Sequence, residues 1–151
     1  MGFWTSLKIG ASALTAQRLR MDVIANNIAN AETTRTAEGG PYQRQDVVFT
    51  PQGQNAFLPA LAAARRDAAN SPAAGVGGVQ VTRVVADSSP GPRVYDPAHP
   101  DADANGYVTY PNVNIVTEMT NMLSATRSYE AALAVVEAAK RMALKALEIG
   151  R

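Results

Sequence analysis

Apolar positions recur every seven residues in the last quarter of the chain. Ile115, Met122, Tyr129, Val136 and Ala143 form one row, and Met119, Thr126, Leu133, Lys140 and Leu147 fill the intermediate positions. Eight of those ten sites are apolar or aromatic. Such a stripe is a seam for a partner helix rather than a face lost in a globular core. The 36 residues from Asn114 to Ile149 contain neither Gly nor Pro, so nothing inside them forces a helix to stop. Asn114 is placed to cap the first turn, and Glu118 sits near the positive end of the helix dipole. Lys140, Arg141, Lys145 and Arg151 gather toward the other end, with Gly150 as the stop. Thr126 and Lys140 interrupt the stripe; polar insertions of this kind fix register or lie where the seam meets solvent. At 1.5 Å per residue the helix would run roughly 50 Å, against a radius of gyration of about 15 Å for a compact chain of this length. The seam needs a cover: another segment of the chain, neighbouring copies, or both.

A second stripe lies near the start. Leu7, Leu14, Met21 and Ile28 are seven apart, Ala11 and Ala25 fall between them, and Leu19, Val23 and Ile24 widen the face. Arg18 interrupts it. The pattern predicts a helix from about Thr5 to Asn30, and two narrow seams at opposite ends of one chain are natural partners for an antiparallel coiled coil. Asn26, Asn27 and Asn30 are poor helix formers in this stretch. They read either as a fraying helix end with Asn caps, or as Asn26 and Asn30 bonding across a helix contact to fix its register.

Between the stripes the chain changes character. All nine prolines lie between Pro41 and Pro111, and eight of the eleven glycines between Gly39 and Gly106. Tyr42–Phe49, Val76–Val85 and Tyr107–Tyr110 are β-branched and aromatic, bounded by Gly, Pro and Asp, and read as strands. Gln52–Gly78 is Ala- and Gly-rich and reads as a variable surface excursion, with Ala60–Ala69 fit for a helical turn or two. The predicted fold is mainly α with a small β-rich middle. Its segments are 1–34, 35–111 and 112–151, the first and last forming the coiled coil.

Composition narrows the chemistry. A net charge of +1 is too small to argue for nucleic acid or acidic lipid as a partner, and Arg65, Arg66, Arg83 and Arg93 are scattered. The absence of cysteine excludes disulfides and thiol chemistry. The uncharged runs of the second helix, Ala131–Val136 among them, fall far short of the roughly 18 residues of a membrane span, so no direct membrane insertion is expected. Ile9–Gln17 is too short and polar for a secretory signal core. Asp101, Asp103, Asn105 and Gly106 match the opening of a calcium loop, but Asn112 stands where a bidentate Glu should, so an Asp/Asn-stabilised turn is expected and no metal or other cofactor. His99, the single histidine, has only Ser88, Ser89 and Asp96 nearby in a proline-rich stretch, and no catalytic motif accompanies it. The chain does not read as an enzyme.

Several blocks carry a resemblance. Ala13-Leu14-Thr15-Ala16-Gln17 followed by Met21 to Ala31 is similar to the N-terminal signature of the axial proteins of the bacterial flagellum, the rod and hook family. Thr33 to Tyr42, Tyr95 to Val108 and Tyr110 to Val113, with Glu118-Met119 and Tyr129-Glu130-Ala131, resemble its proximal rod members; Ala132 departs from the family's usual Asn. The resemblance implies a structural subunit of the rod, exported by the flagellar type III apparatus without a cleaved signal and located in the periplasmic part of the basal body. It implies as partners other copies of the chain, other proximal rod proteins, the rod–MS-ring adaptor and the distal rod protein. The assembly surface is expected on Leu14, Met21, Asn26, Asn27, Ile28, Asn30, Met119, Met122, Tyr129, Glu130, Leu133 and Val136. Competing readings are another axial protein, of distal rod or hook type, with a larger middle domain, and a soluble coiled-coil secretion adaptor.

Overall fold

The computed structural model describes residues 2–52 and 77–149. In chain order the elements are α1 (Phe3–Ala29), β1 (Gln45–Pro51), β2 (Val79–Ala86), β3 (Arg93–Tyr95), β4 (Tyr107–Thr109) and α2 (Ile115–Ile149). The fold is mainly helical: two long terminal helices pack on each other, with a small β region of two two-stranded sheets between them. Asn114 caps α2 as expected, its Oδ1 accepting from the Thr117 N–H at 3.1 Å. Strand β1 begins three residues later than Tyr42, because Tyr42 and Arg44 are drawn into side-chain bonding with the helices. β3 escaped the sequence reading, being three residues long between prolines. The helical turn expected at Ala60–Ala69 lies outside the described residues.

The chain divides into two compact units. The first takes α1 through Ala16, the β1 and β2 residues Phe49–Pro51 and Val79–Thr82, and α2 from Tyr129. Here Gly10 is buried against α2, where an added Cβ would stand 2.5 Å from Cγ2 of Val136. Ala16 and Ala139 are buried with it. Ser12 Oγ donates to Ile9 O at 2.7 Å and accepts from Val79 N at 3.1 Å, which fastens the start of β2 to α1.

The second unit takes Gln17–Val48 and Arg83–Ser128. Its helices run antiparallel: Thr126 Oγ1 meets Met21 Sδ at 3.7 Å, while Asn27 meets Glu118 at 3.1 Å. Val23, Ile24, Val47, Val108 and Ala125 are buried there. β3 and β4 pair antiparallel, Arg93 with Thr109, Val94 with Val108 and Tyr95 with Tyr107. Their turn depends on Gly106 at φ +79°, a left-handed conformation in which a Cβ would also come within 2.9 Å of the Tyr95 ring.

The seam on α2 differs from the expected one. Its inner rows are Glu118, Ala125, Ala132, Ala139 and Met122, Tyr129, Val136, Ala143, all buried or half-buried. The second of these rows was legible apart from its expected first member, Ile115, which is exposed at the start of the helix. The intermediate row was not: Met119, Leu133 and Leu147 are 58%, 41% and 73% exposed. Small residues won the inner position because alanine and glycine let two helix backbones approach closely, whereas a large side chain holds them apart. On α1 the expected intermediate positions Ala11, Arg18 and Ala25 are likewise exposed.

This packing predicts an overpacked helix pair in Gly10→Leu. The variant gains about 1 kcal/mol of helix propensity, but the new side chain collides with Val136, and overpacking costs about 1–3 kcal/mol. Thermal unfolding followed by circular dichroism should show a net loss of stability, partly restored by adding Val136→Ala. Strictly additive effects of the two changes would refute the contact.

Candidate assembly interface and its polar lock

Within the second unit, two fully buried polar side chains face each other, Asn27 on α1 and Glu118 on α2. An amide offers two donors and two acceptor lone pairs, and Asn27 uses all four. Its Nδ2 donates to Gln45 O at 2.8 Å and to Glu118 Oε2 at 3.1 Å. Its Oδ1 accepts from Tyr42 Oη and from Gln45 N, each at 2.9 Å. The other oxygen of Glu118 accepts from Arg44 Nε at 2.9 Å and Asn121 Nδ2 at 3.2 Å. A carboxylate sealed from water is costly unless fully paired, and here one cation and two amides share it.

The network extends through the main chain. Arg44 N donates to Asn112 Oδ1 at 2.8 Å, and Asn112 Nδ2 donates to Asp87 O at 3.0 Å. Asp87 N returns a bond to Arg44 O at 2.7 Å. The end of α1, the entry to β1, the exit of β2 and the entry to α2 are thereby tied together. Burial alone would lower the Arg44 pKa, but the hydrogen bond and charge of Glu118, helped by Asp46 and Asp87, outweigh it and hold the guanidinium above its ordinary value. Burial, then the Glu118 charge, pushes the Tyr42 hydroxyl up from 10.0, which keeps it protonated as the donor to Asn27. The Asp46 carboxylate, 3.6 Å from Arg44 and 65% exposed, contributes little.

A second polar node holds the β3–β4 turn. Asp103 Oδ1 accepts from Asn105 N at 2.8 Å and Tyr107 N at 3.0 Å, and Oδ2 from Arg93 at 2.7 Å. The Tyr107 and Asn105 amides, then Arg93, hold Asp103 below the usual carboxylate range. Asp101 turns elsewhere, to Thr34 Oγ1 at 2.8 Å. His99 Nδ1 accepts from the Asp101 amide at 3.1 Å. The Asp-x-Asp-x-Asn-Gly stretch is thus engaged as a turn with its two carboxylates on different partners.

The residues expected at the assembly surface divide by where they point. Asn27 is buried in the lock, and Leu14, Met21, Ile28, Met122, Tyr129 and Val136 are half-buried. Asn26, Met119, Glu130 and Leu133 are exposed. Asn26 and Asn30 do not bridge the two helices of the chain; Asn30 Nδ2 bonds Asn26 Oδ1 at 2.6 Å and its carbonyl at 3.0 Å, closing the helix end. The residue that crosses is their neighbour Asn27. Outside the helix pair, large apolar side chains stand in water: Val116, Met119 and Leu123 in the second unit, Leu133, Leu144 and Leu147 in the first. Among the described residues, seventeen large apolar side chains are exposed and only seven apolar residues are buried, three of them alanine.

Two family models match the chain, that of the flagella basal body rod protein over residues 7–35 and that of the flagellar basal body rod FlgEFG protein C-terminal region over residues 104–149. Together they place it among the flagellar rod proteins. Whole-length relatives narrow the class. The flagellar basal-body rod protein FlgC of Borreliella burgdorferi is 45% identical over 99% of this chain and 98% of its own length. FlgC of Bacillus subtilis is also 45% identical, over 97% of each. FlgC of Salmonella typhimurium is 42% identical over 95% of this chain and 94% of its own. The chain belongs to the FlgC family of flagellar basal-body rod proteins. It is a structural rod protein, and no helix among its described residues is long and apolar enough to cross a membrane.

Two outcomes follow from the lock. Asn27→Leu would leave Gln45 N, the Tyr42 hydroxyl and part of the Glu118 carboxylate unpartnered, at about 1–3 kcal/mol for each orphaned group. Urea denaturation should register a loss of at least about 3 kcal/mol, and a change below about 1 kcal/mol would refute the network. The second concerns pH. The Tyr42 pKa is raised on folding, so its contribution is complete below the unfolded value of 10.0 and is lost as pH rises through the folded value. Stability should therefore fall as pH rises from 10.0 toward the folded value, and less steeply in Tyr42→Phe, when urea midpoints are compared across the alkaline range.

Proposed function

We propose that this chain builds the proximal rod by self-association and by packing on the other axial subunits through the outward face of its helices. The observation that carries the reading is the division of α2 into a small-residue seam that its own chain covers and a large-residue face that it leaves open. A helix that leaves Met119, Leu123, Leu133, Leu144 and Leu147 exposed after packing on its intramolecular partner is suited to a further partner. Surfaces of different shape on opposite sides of a subunit give open, helical growth rather than a closed dimer. The partners on this reading are other copies of the chain, the other proximal rod proteins, the rod–MS-ring adaptor and the distal rod protein. The route is export by the flagellar type III apparatus to the periplasmic rod. The terminal segments 1–34 and 112–151 supply the assembling helices, and the middle 35–111 dresses them.

Leu133→Asp tests the reading. The side chain is exposed in the single chain, so the isolated variant should unfold within about 0.5 kcal/mol of the wild type. In an assembly the same carboxylate would be buried unpaired, at several kcal/mol per copy. A strain carrying it should export the protein and remain non-motile. Normal swimming would overturn the assignment of this face, whereas a collapse of the isolated variant would show that Leu133 belongs to the chain's own core.

A further inference from the structure

We propose that Asn105–Gly106 is a site of spontaneous deamidation whose rate is gated by the β3–β4 hairpin. This is the chain's single Asn–Gly pair. Asn105 is exposed, and among the described residues its side-chain amide makes no hydrogen bond. Gly106 has no Cβ to hinder approach. The reaction needs no outside catalyst: the Gly106 nitrogen, losing its proton, attacks Asn105 Cγ and closes a five-membered imide as ammonia leaves. Water then opens the ring at either carbonyl, giving aspartate or its β-linked isomer. One water enters and one ammonia departs, with no change of oxidation state.

In the folded hairpin the attacking atom is occupied. Gly106 N donates to Asp103 O at 2.9 Å, and the turn is closed on its other side by Asp96 N bonding Gly106 O, also at 2.9 Å. The Asn105 and Tyr107 amides are both held by the same Asp103 oxygen. Cyclisation requires the Gly106 nitrogen to leave this arrangement, so it proceeds when the turn opens and in the unfolded chain. The product is not neutral to the fold. The β-linked isomer lengthens the backbone by one atom inside a turn whose two amides converge on one oxygen, and either product places a new carboxylate beside Asp103. With that extra backbone atom the β-linked turn cannot restore the Tyr95–Tyr107 register as it stands. The hairpin thereby keeps a chemical record of the time it has spent open.

The test ages the full-length protein at mildly alkaline pH, native in one arm and in concentrated urea in the other. Peptide mass spectrometry reads amide-to-acid conversion, and an isoaspartyl methyltransferase assay reads the β-linked product. Asn105 should convert faster than every other asparagine in urea and severalfold more slowly in the native arm. Gly106→Ala, compared in urea where its strained φ is irrelevant, should slow the reaction. Asp103→Ala, which loosens the turn, should bring the native rate toward the urea rate. Equal rates in the two arms would overturn the gating, and slow conversion of Asn105 in urea would overturn the site itself.

Discussion

The structure of the second unit depends on one buried bond, between the Asn27 amide and the Glu118 carboxylate. Neither group can be sealed from water without partners, so the pair dictates what surrounds it. The carboxylate requires the Arg44 guanidinium, and the amide requires a donor pair and an acceptor from Tyr42 and Gln45. These demands fix the path of the chain from the end of α1 into β1. Asn112 and Asp87 then join the exit of β2 to the same place. Apolar packing between narrow helices tolerates sliding by a turn; a fully satisfied polar contact does not, since any slip strands a buried charge.

The first unit holds its helices by other means. Gly10, Ala16 and Ala139 are buried there, and close approach of backbones supplies dispersion contacts without large side chains. Such a seam buries little apolar area and is correspondingly weak. Its weakness has a use. Methionine and leucine side chains displaced from the inner rows of α2 remain available on its outer side, where a neighbouring subunit gains from covering them.

How much of this was readable follows from what each device needs. Heptad spacing announced both helices, and the row Met122, Tyr129, Val136, Ala143 was correctly placed inward, because periodicity is a local property of the sequence. The intermediate row was misplaced because hydrophobicity ranks leucine above alanine, whereas a close helix contact ranks them by size. Asn27 stood out as an unfavourable residue in a helix, yet its neighbours Asn26 and Asn30 looked better placed to reach across. Glu118 read as a dipole partner of the helix start, which its position allows. Nothing local marked Arg44, Tyr42, Gln45 or Asn112 as its companions; they come together only when three distant stretches fold, and a single sequence carries no sign of that beyond an unexplained asparagine and glutamate. The Asp103 turn was legible, since Asp and Asn at that spacing bond the next amides wherever they occur.

The division of labour between the two faces of α2 also bears on Ala132. Ala132 lies on the inner row, in register with Ala125 and Ala139, and is half-buried. An amide there would need partners on the opposing helix or a path to water; an alanine needs neither and permits the same close approach as its neighbours. In this chain the inner row is therefore small from Ala125 to Ala139, with Glu118 as its polar member. Within the second unit register is set by Glu118, and the first unit's part of the row packs by shape. A protein that must present a long apolar face to other subunits gains from such an arrangement, because the specificity of its own helix pair then consumes none of the large side chains it displays.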